Sequence, residues 1–176
     1  MHVYVCEHLD VYLPANSDFY FGSDSGPKGI SISFMRPCYG VNWLPMLIYS
    51  DPGLFINSNN QFHPWLFIFK RAKFLKTGKM LTLKEILKSN FLSSHSSIIF
   101  KENNVSFVDN TSEEIKLLAK EIIMERKGET IENKEDIKIK NEFWKIYFKY
   151  SGNQKIKNIT PRISPAFLRN NIDLLN

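Results

Sequence analysis

The stretch Asp18-Phe19-Tyr20-Phe21-Gly22-Ser23-Asp24-Ser25-Gly26-Pro27 decides how this chain is read. Residues 19–21 are an aromatic, apolar run closed by Gly22, the pattern of a short buried strand. A small polar turn follows. Pro27 stands where a helix would begin, and its preset φ and missing N–H are both tolerated in a first turn. Strand, turn and helix in that order aim backbone N–H groups and hydroxyls at an anion, most often a phosphate. The helix dipole adds the attraction of about half a unit charge. Ser23, Ser25 and the amides around Gly26 are the expected phosphate contacts, with Pro27 opening the helix behind them. Asp24 would repel a phosphate and suits the hydroxyls of a sugar better. The competing reading is an ordinary helix-capping turn, which uses the same residue types.

Beyond the turn two patterns compete. Ile30, Ile32 and Phe34 alternate as in a strand, whereas the Ser-Gly-Pro opening starts a helix. A βαβ unit needs a crossover here, so a helix over about 28–35 is expected, ended at Arg36-Pro37. Residues 38–44 then read as the next buried strand. Residues 46–79 read as loop-like, with an Asp51-Pro52-Gly53 turn, a polar stretch at 57–60 and, at 65–76, a core strand or loop anchor with a solvated basic end. Thr82-Leu83-Lys84-Glu85 and Thr111-Ser112-Glu113-Glu114 are capping boxes opening helices to about 89 and 127, the second terminated by Gly128. Ile115, Leu118, Ala119, Ile122 and Ile123 form one apolar stripe on that second helix. Residues 105–108 read as a strand, 129–140 as a charged hinge or frayed helix start, and 153–160 as a polar connection. Phe143, Trp144, Tyr147 and Phe148 make a further helical stripe, and 164–175 a last short helix. Residues 1–13 fit a short helix or a strand. The alternation makes the fold class α/β, a Rossmann-like parallel sheet flanked by helices.

At 176 residues with 43% hydrophobic and 14% aromatic composition, the chain can bury a real core and is not of the disordered class. Cys6 and Cys38 could pair only once, and neither they nor the scattered His2, His8, His63 and His95 make a zinc spacing. No signal-peptide pattern and no membrane-spanning apolar run is present in the sequence, so a cytoplasmic location is expected. The net charge of +5 is local: residues 63–90 carry seven basic residues against Glu85 alone, which leaves the remainder near −1. Such a patch favours phosphates or an anionic membrane surface. It matches no nucleic-acid recognition module. Lys28 and Arg36 are candidate phosphate neighbours. Asn42 reads as a ligand contact or, more simply, as a turn cap.

The order Gly22-Ser23-Asp24-Ser25-Gly26-Pro27, short helix, Arg36-Pro37, strand resembles the donor-binding half of GT-B glycosyltransferases. Bacterial heptosyltransferases have a similar Asp-(Ser/Thr)-Gly-Pro turn at the donor site. A longer similarity is to a little-characterised bacterial family of surface-polysaccharide glycosyltransferases. It runs through Ser25-Gly26, Arg36-Pro37, Asn42, Pro45, Lys70-Arg71 and the Leu81 to Ile86 helix start, and later through Val108 to Ile115 and Pro165 to Asn170. The resemblance implies a nucleotide-sugar domain over 1–130, resembling the C-terminal domain of a GT-B fold, and a helical extension over 131–176 packing on it. It implies a nucleotide sugar as donor substrate with no further cofactor and no metal, and a glycan or lipid-linked acceptor, with possible contact at the inner face of the cytoplasmic membrane. Two departures stand in the sequence. Gly29 occupies a position that is usually histidine in heptosyltransferases, and GT-B enzymes work between two Rossmann-like domains where this chain supplies about one. The acceptor side would then come from another polypeptide; failing that, the chain would be a non-catalytic nucleotide- or partner-binding module, or a peripheral membrane protein.

Overall fold

The computed structural model describes residues 7–44, 66–89, 100, 102–129, 133–151 and 162–176. The expectations for residues 1–6, for the 51–60 turn and polar stretch, and for 153–160 lie outside these. Four parallel strands form the central sheet: β1 (Tyr20–Gly22), β2 (Cys38–Trp43), β3 (Leu66–Phe69) and, last in the chain, β6 (Arg162–Ile163). Their order across the sheet, β1-β2-β3-β6, follows the order along the chain. An antiparallel ribbon of β4 (Arg71–Phe74) and β5 (Val105–Val108) stands apart from it. The helices are α1 (Glu7–Asn16), α2 (Gly26–Ser33), α3 (Leu83–Lys88), α4 (Ser112–Arg126), α5 (Lys134–Tyr150) and α6 (Pro165–Asn170), followed by a 3-10 turn, Ile172–Leu175. The fold is mixed α/β with helices flanking a parallel sheet, consistent with a Rossmann-like arrangement.

Local chemistry explains the elements that sequence reading identified. Helix α2 wins over the competing strand pattern and starts at Gly26, two residues earlier than expected. It ends in a Schellman motif: Arg36 N–H donates to Ser31 C=O and Met35 N–H to Ile32 C=O, both at 2.8 Å. Met35 holds the left-handed position at φ 56°, which glycine usually fills. Helix α4 closes the same way on Gly128, at φ 72°. Thr82 and Thr111 both make complete capping boxes, with Glu85 and Glu114 returning to their backbone N–H groups at 2.8 and 2.7 Å.

Two expectations are corrected, and one pairing was not anticipated. The basic run after 69 is not loop: β3 and β4 are separated only by Lys70, and β4 alternates buried Ala72 with outward Lys73 against β5. The charged stretch at 134–140 is the ordered start of α5, capped by Asn133, whose side chain accepts from Asp136 N–H at 2.8 Å. Pairing of β6 with β3 brings the chain end into the central sheet.

All four residues of β3 are buried, which a strand covered on both faces requires. Tyr39 of β2 faces α4, reaching Glu125, whereas a bulge at Asn42, φ 55°, turns Trp43 to the other face. There the indole lies over Gly40; a Cβ on Gly40 would come within 2.7 Å of it and 3.1 Å of Phe67 Cβ. Phe69 packs on Phe143 of α5 at 5.7 Å and on Phe167 of α6 at 5.0 Å between ring centroids. Sheet, α4, α5 and α6 thus share one hydrophobic cluster, while Ala72, Leu81, Ile86, Phe100 and Val105 form a smaller one under the ribbon. No helix among the described residues is long and apolar enough to cross a membrane.

Candidate functional site

The turn Ser23-Asp24-Ser25 leaves the carboxyl end of β1 and enters α2, the position expected of a phosphate loop. Tyr20 organises it. Its ring folds back over Gly22, where a Cβ would meet the phenol oxygen at 2.6 Å, so a larger residue there would displace the phenol from the turn. The Tyr20 O–H donates to Ser23 C=O at 2.6 Å; with its one proton spent there, its oxygen accepts from the Ser25 hydroxyl at 2.9 Å. Tyr20 was not singled out in the sequence, where it is one aromatic among three in a strand pattern.

Ser25 is the N-cap of α2 in extended conformation, and its side chain makes no capping hydrogen bond. Lys28 N–H returns to Ser25 C=O at 3.1 Å, and Pro27 has no N–H. Of the first three residues of the helix, Gly26 is the one whose N–H no described backbone group accepts. Residues 23–27 are all exposed, and a Cβ on Gly26 would meet nothing within 4 Å. Behind this open turn Lys28 is only 6% exposed. Its ammonium pairs with the Asp24 carboxylate and lies 4.9 Å from the centroid of the Trp43 ring. A phosphate arriving here exchanges partners rather than filling empty valences. It competes with Tyr20 for the Ser25 proton and with Asp24 for the Lys28 charge.

The other two expected residues are placed elsewhere. Arg36 follows α2 and precedes β2, so it sits at the amino edge of the sheet, about 12 Å of helix away from the turn. Its Nε donates to Ala15 C=O at 2.7 Å, tying α1 to the sheet. Asn42 lies inside β2 near the carboxyl edge, in a reciprocal clasp with Asn110. Asn42 N–H donates to Asn110 Oδ1 at 2.7 Å, and Asn110 N–H to Asn42 Oδ1 at 2.6 Å. Asn110 Nδ2 also donates to Phe69 C=O at 2.9 Å. Asn tolerates the left-handed φ that this bulge needs. Asn42 therefore shapes the edge on which Trp43 and Lys28 meet.

Cys38, a free thiol with no exposed surface, lies on the same face of β2 as Gly40. Burial pushes its pKa up to about 12, opposed by the charge of Lys28. Because the folded value lies above the ordinary thiol value of 9.0, the thiol's contribution to stability is intact below pH 9 and is lost as pH rises from 9 towards 12. In a Cys6→Ser background, native protein at pH 8 is expected to react with a disulfide reagent only as fast as it unfolds. Labelling at the rate of a free peptide thiol, followed by absorbance, would show Cys38 to be accessible.

A cavity of about 190 Å³ beside the amino-terminal ends of β3 and β6 is lined by Leu66, Glu121, Glu125, Asp136, Arg162 and Arg169, among others. Two ion pairs close within it: Arg162 meets Glu125 at 2.7 Å and Arg169 meets Asp136. Glu121 accepts from Ala166 N–H at 3.1 Å, and burial raises its pKa against the pull of Ser164, Ala166, Arg169 and Lys140. Among the described residues no group of His, Cys, Asp or Glu is arranged to hold a metal ion. Compared with known proteins, the chain matches no family model, no curated protein and no solved structure.

Proposed function

We propose that the turn at 23–28 binds the phosphates of a nucleotide sugar, and that the chain serves as the donor-binding half of a glycosyltransferase. One observation carries this reading: a lysine ammonium, Lys28, buried directly behind an exposed turn of hydroxyls at a helix start. Burying a cation is costly unless a counter-charge meets it. Asp24 supplies one from its own turn, and a diphosphate supplies a stronger one. Gly26 N–H and the dipole of α2 add to the attraction. Asp24, released from Lys28, is then free to accept hydrogen bonds from sugar hydroxyls. On the resemblance noted in the sequence, Ser25 and Gly26 would contact the donor phosphate, and Lys28 beside them would offset charge on the departing nucleotide, as preorganised donors do. The acceptor would be a hydroxyl of a surface glycan held by a second polypeptide.

Titration calorimetry with adenosine, cytidine, guanosine and uridine diphosphates and their sugar conjugates tests this. One base is expected to bind, with affinity reduced about tenfold by Ser25→Ala and by Lys28→Met, a charge-assisted contact each. Asp24→Asn is expected to strengthen binding of the free diphosphate and to weaken the sugar conjugate relative to it. No binding by any member, or binding indifferent to all three substitutions, overturns the reading.

A further inference from the structure

The basic segment of the sequence is divided by the fold. Lys70 pairs with Asp109 at 2.7 Å, Arg71 with Glu114 at 3.5 Å and Lys79 with Glu85 at 3.1 Å. Lys84 and Lys88 behave differently. They lie one turn apart on α3, and with Lys149 of α5 they converge on a single ring, that of Tyr150. Their ammonium nitrogens stand 5.8, 5.0 and 5.4 Å from its centroid, respectively. All three lysines are exposed, and among the described residues none has an acidic partner. The sequence that directly follows each helix, 90–99 and 152–161, contains no acidic residue, and the second adds Lys155 and Lys157.

A ring has two faces, so at least two of three ammonium groups lie on the same side of its plane. The attraction of each to the ring is short-ranged. Their mutual repulsion acts within a Debye length of about 8 Å. Lys88 and Lys149 each stand in the last turn of a helix, where the dipole favours a cation. That preference accounts for neither Lys84 nor the convergence of the three on one ring from two helices. A multiply charged anion placed between them would turn three like-charge repulsions into three attractions.

We propose that Lys84, Lys88 and Lys149, gathered on Tyr150, form a second anion site that takes a phosphate group, separate from the turn at 23–28. The phosphate could belong to a soluble polyphosphate or to a lipid headgroup, since both present the same oxygens to ammonium donors. Two probes separate the sources: sodium pyrophosphate, and vesicles of phosphatidylcholine with or without phosphatidylglycerol. Both are applied to the full chain, with the Tyr150 ring followed by NMR and vesicle binding by co-sedimentation. The triple variant Lys84→Gln, Lys88→Gln, Lys149→Gln is compared with an equal charge loss on α4 and its C-cap, Lys116→Gln, Lys120→Gln, Lys127→Gln, both checked for native circular dichroism. A pyrophosphate response at Tyr150 that weakens about tenfold or more in the first variant and not in the second supports a soluble ligand. Phosphatidylglycerol-dependent sedimentation with the same pattern supports a headgroup. Silence to both probes, or equal losses in the two variants, overturns the proposal.

Discussion

Phe143→Ala is expected to destabilise the protein by about 3–5 kcal/mol, the range for emptying a buried aromatic site. Phe143 has no exposed surface and packs on Phe69 of the sheet at 5.7 Å, on Trp144 at 4.9 Å and on Tyr147 at 6.0 Å. Truncation therefore removes contacts on β3 and within α5 at once, and neighbours held by their own backbone elements can relax only partly into the gap. Urea unfolding followed by tryptophan fluorescence and by far-ultraviolet dichroism is expected to show one transition, shifted to lower midpoint with unchanged slope. The experiment bears on more than packing. Were residues 131–176 an extension resting on a finished domain, the two probes would separate, α5 melting first. Coincident curves follow from the pairing of β6 with β3 and from the shared cluster.

Asn110→Ala is expected to cost about 2–6 kcal/mol, because it strands two polar groups at once at about 1–3 kcal/mol each. The side chain, 7% exposed, accepts from Asn42 N–H and donates to Phe69 C=O. Alanine meets neither need. Asn110→Asp separates the contributions: it keeps an acceptor for Asn42 but sets a carboxylate oxygen against the Phe69 carbonyl, so it is expected to be no better than alanine above pH 5. A midpoint change equivalent to less than 1 kcal/mol for Asn110→Ala would show that water replaces the side chain and that the clasp is not structural. Because the clasp fixes the bulge that presents Trp43 beneath Lys28, the same variant is expected to weaken any ligand at the turn.

The helix at Ser112–Arg126 was legible because its signals are local: a reciprocal capping box at Thr111 and Glu114, a 3.6-residue apolar stripe, and a glycine at the left-handed stop. The stripe was read slightly too broadly, since Leu118 and Ile122 are buried but Ile123 is half exposed. The strand at Arg71–Phe74 was missed because Lys73 and Arg71 flank a single small apolar residue. Only pairing with Val105–Val108, more than 30 residues away, makes that stretch a strand. The two-residue β6 carries no sequence signal at all.

The same division runs through the candidate site. The turn between β1 and α2 was placed correctly from Gly22 and Pro27, since glycine and proline act on the backbone wherever they stand. Tyr20, Trp43 and Asn110 were not foreseen. Their roles depend on what lies across from them: a glycine two residues on, a lysine on the preceding helix, an asparagine 68 positions distant. By itself the sequence determined where the two capping-box helices at Thr82 and Thr111 begin and end and that the fold alternates α with β, because capping, periodicity and backbone restriction are properties of a few consecutive residues. Which polar groups meet, which lysines are neutralised and which converge on Tyr150, and that the chain's end completes its central sheet were decided only by tertiary structure. Those outcomes depend on contacts between segments far apart along the chain.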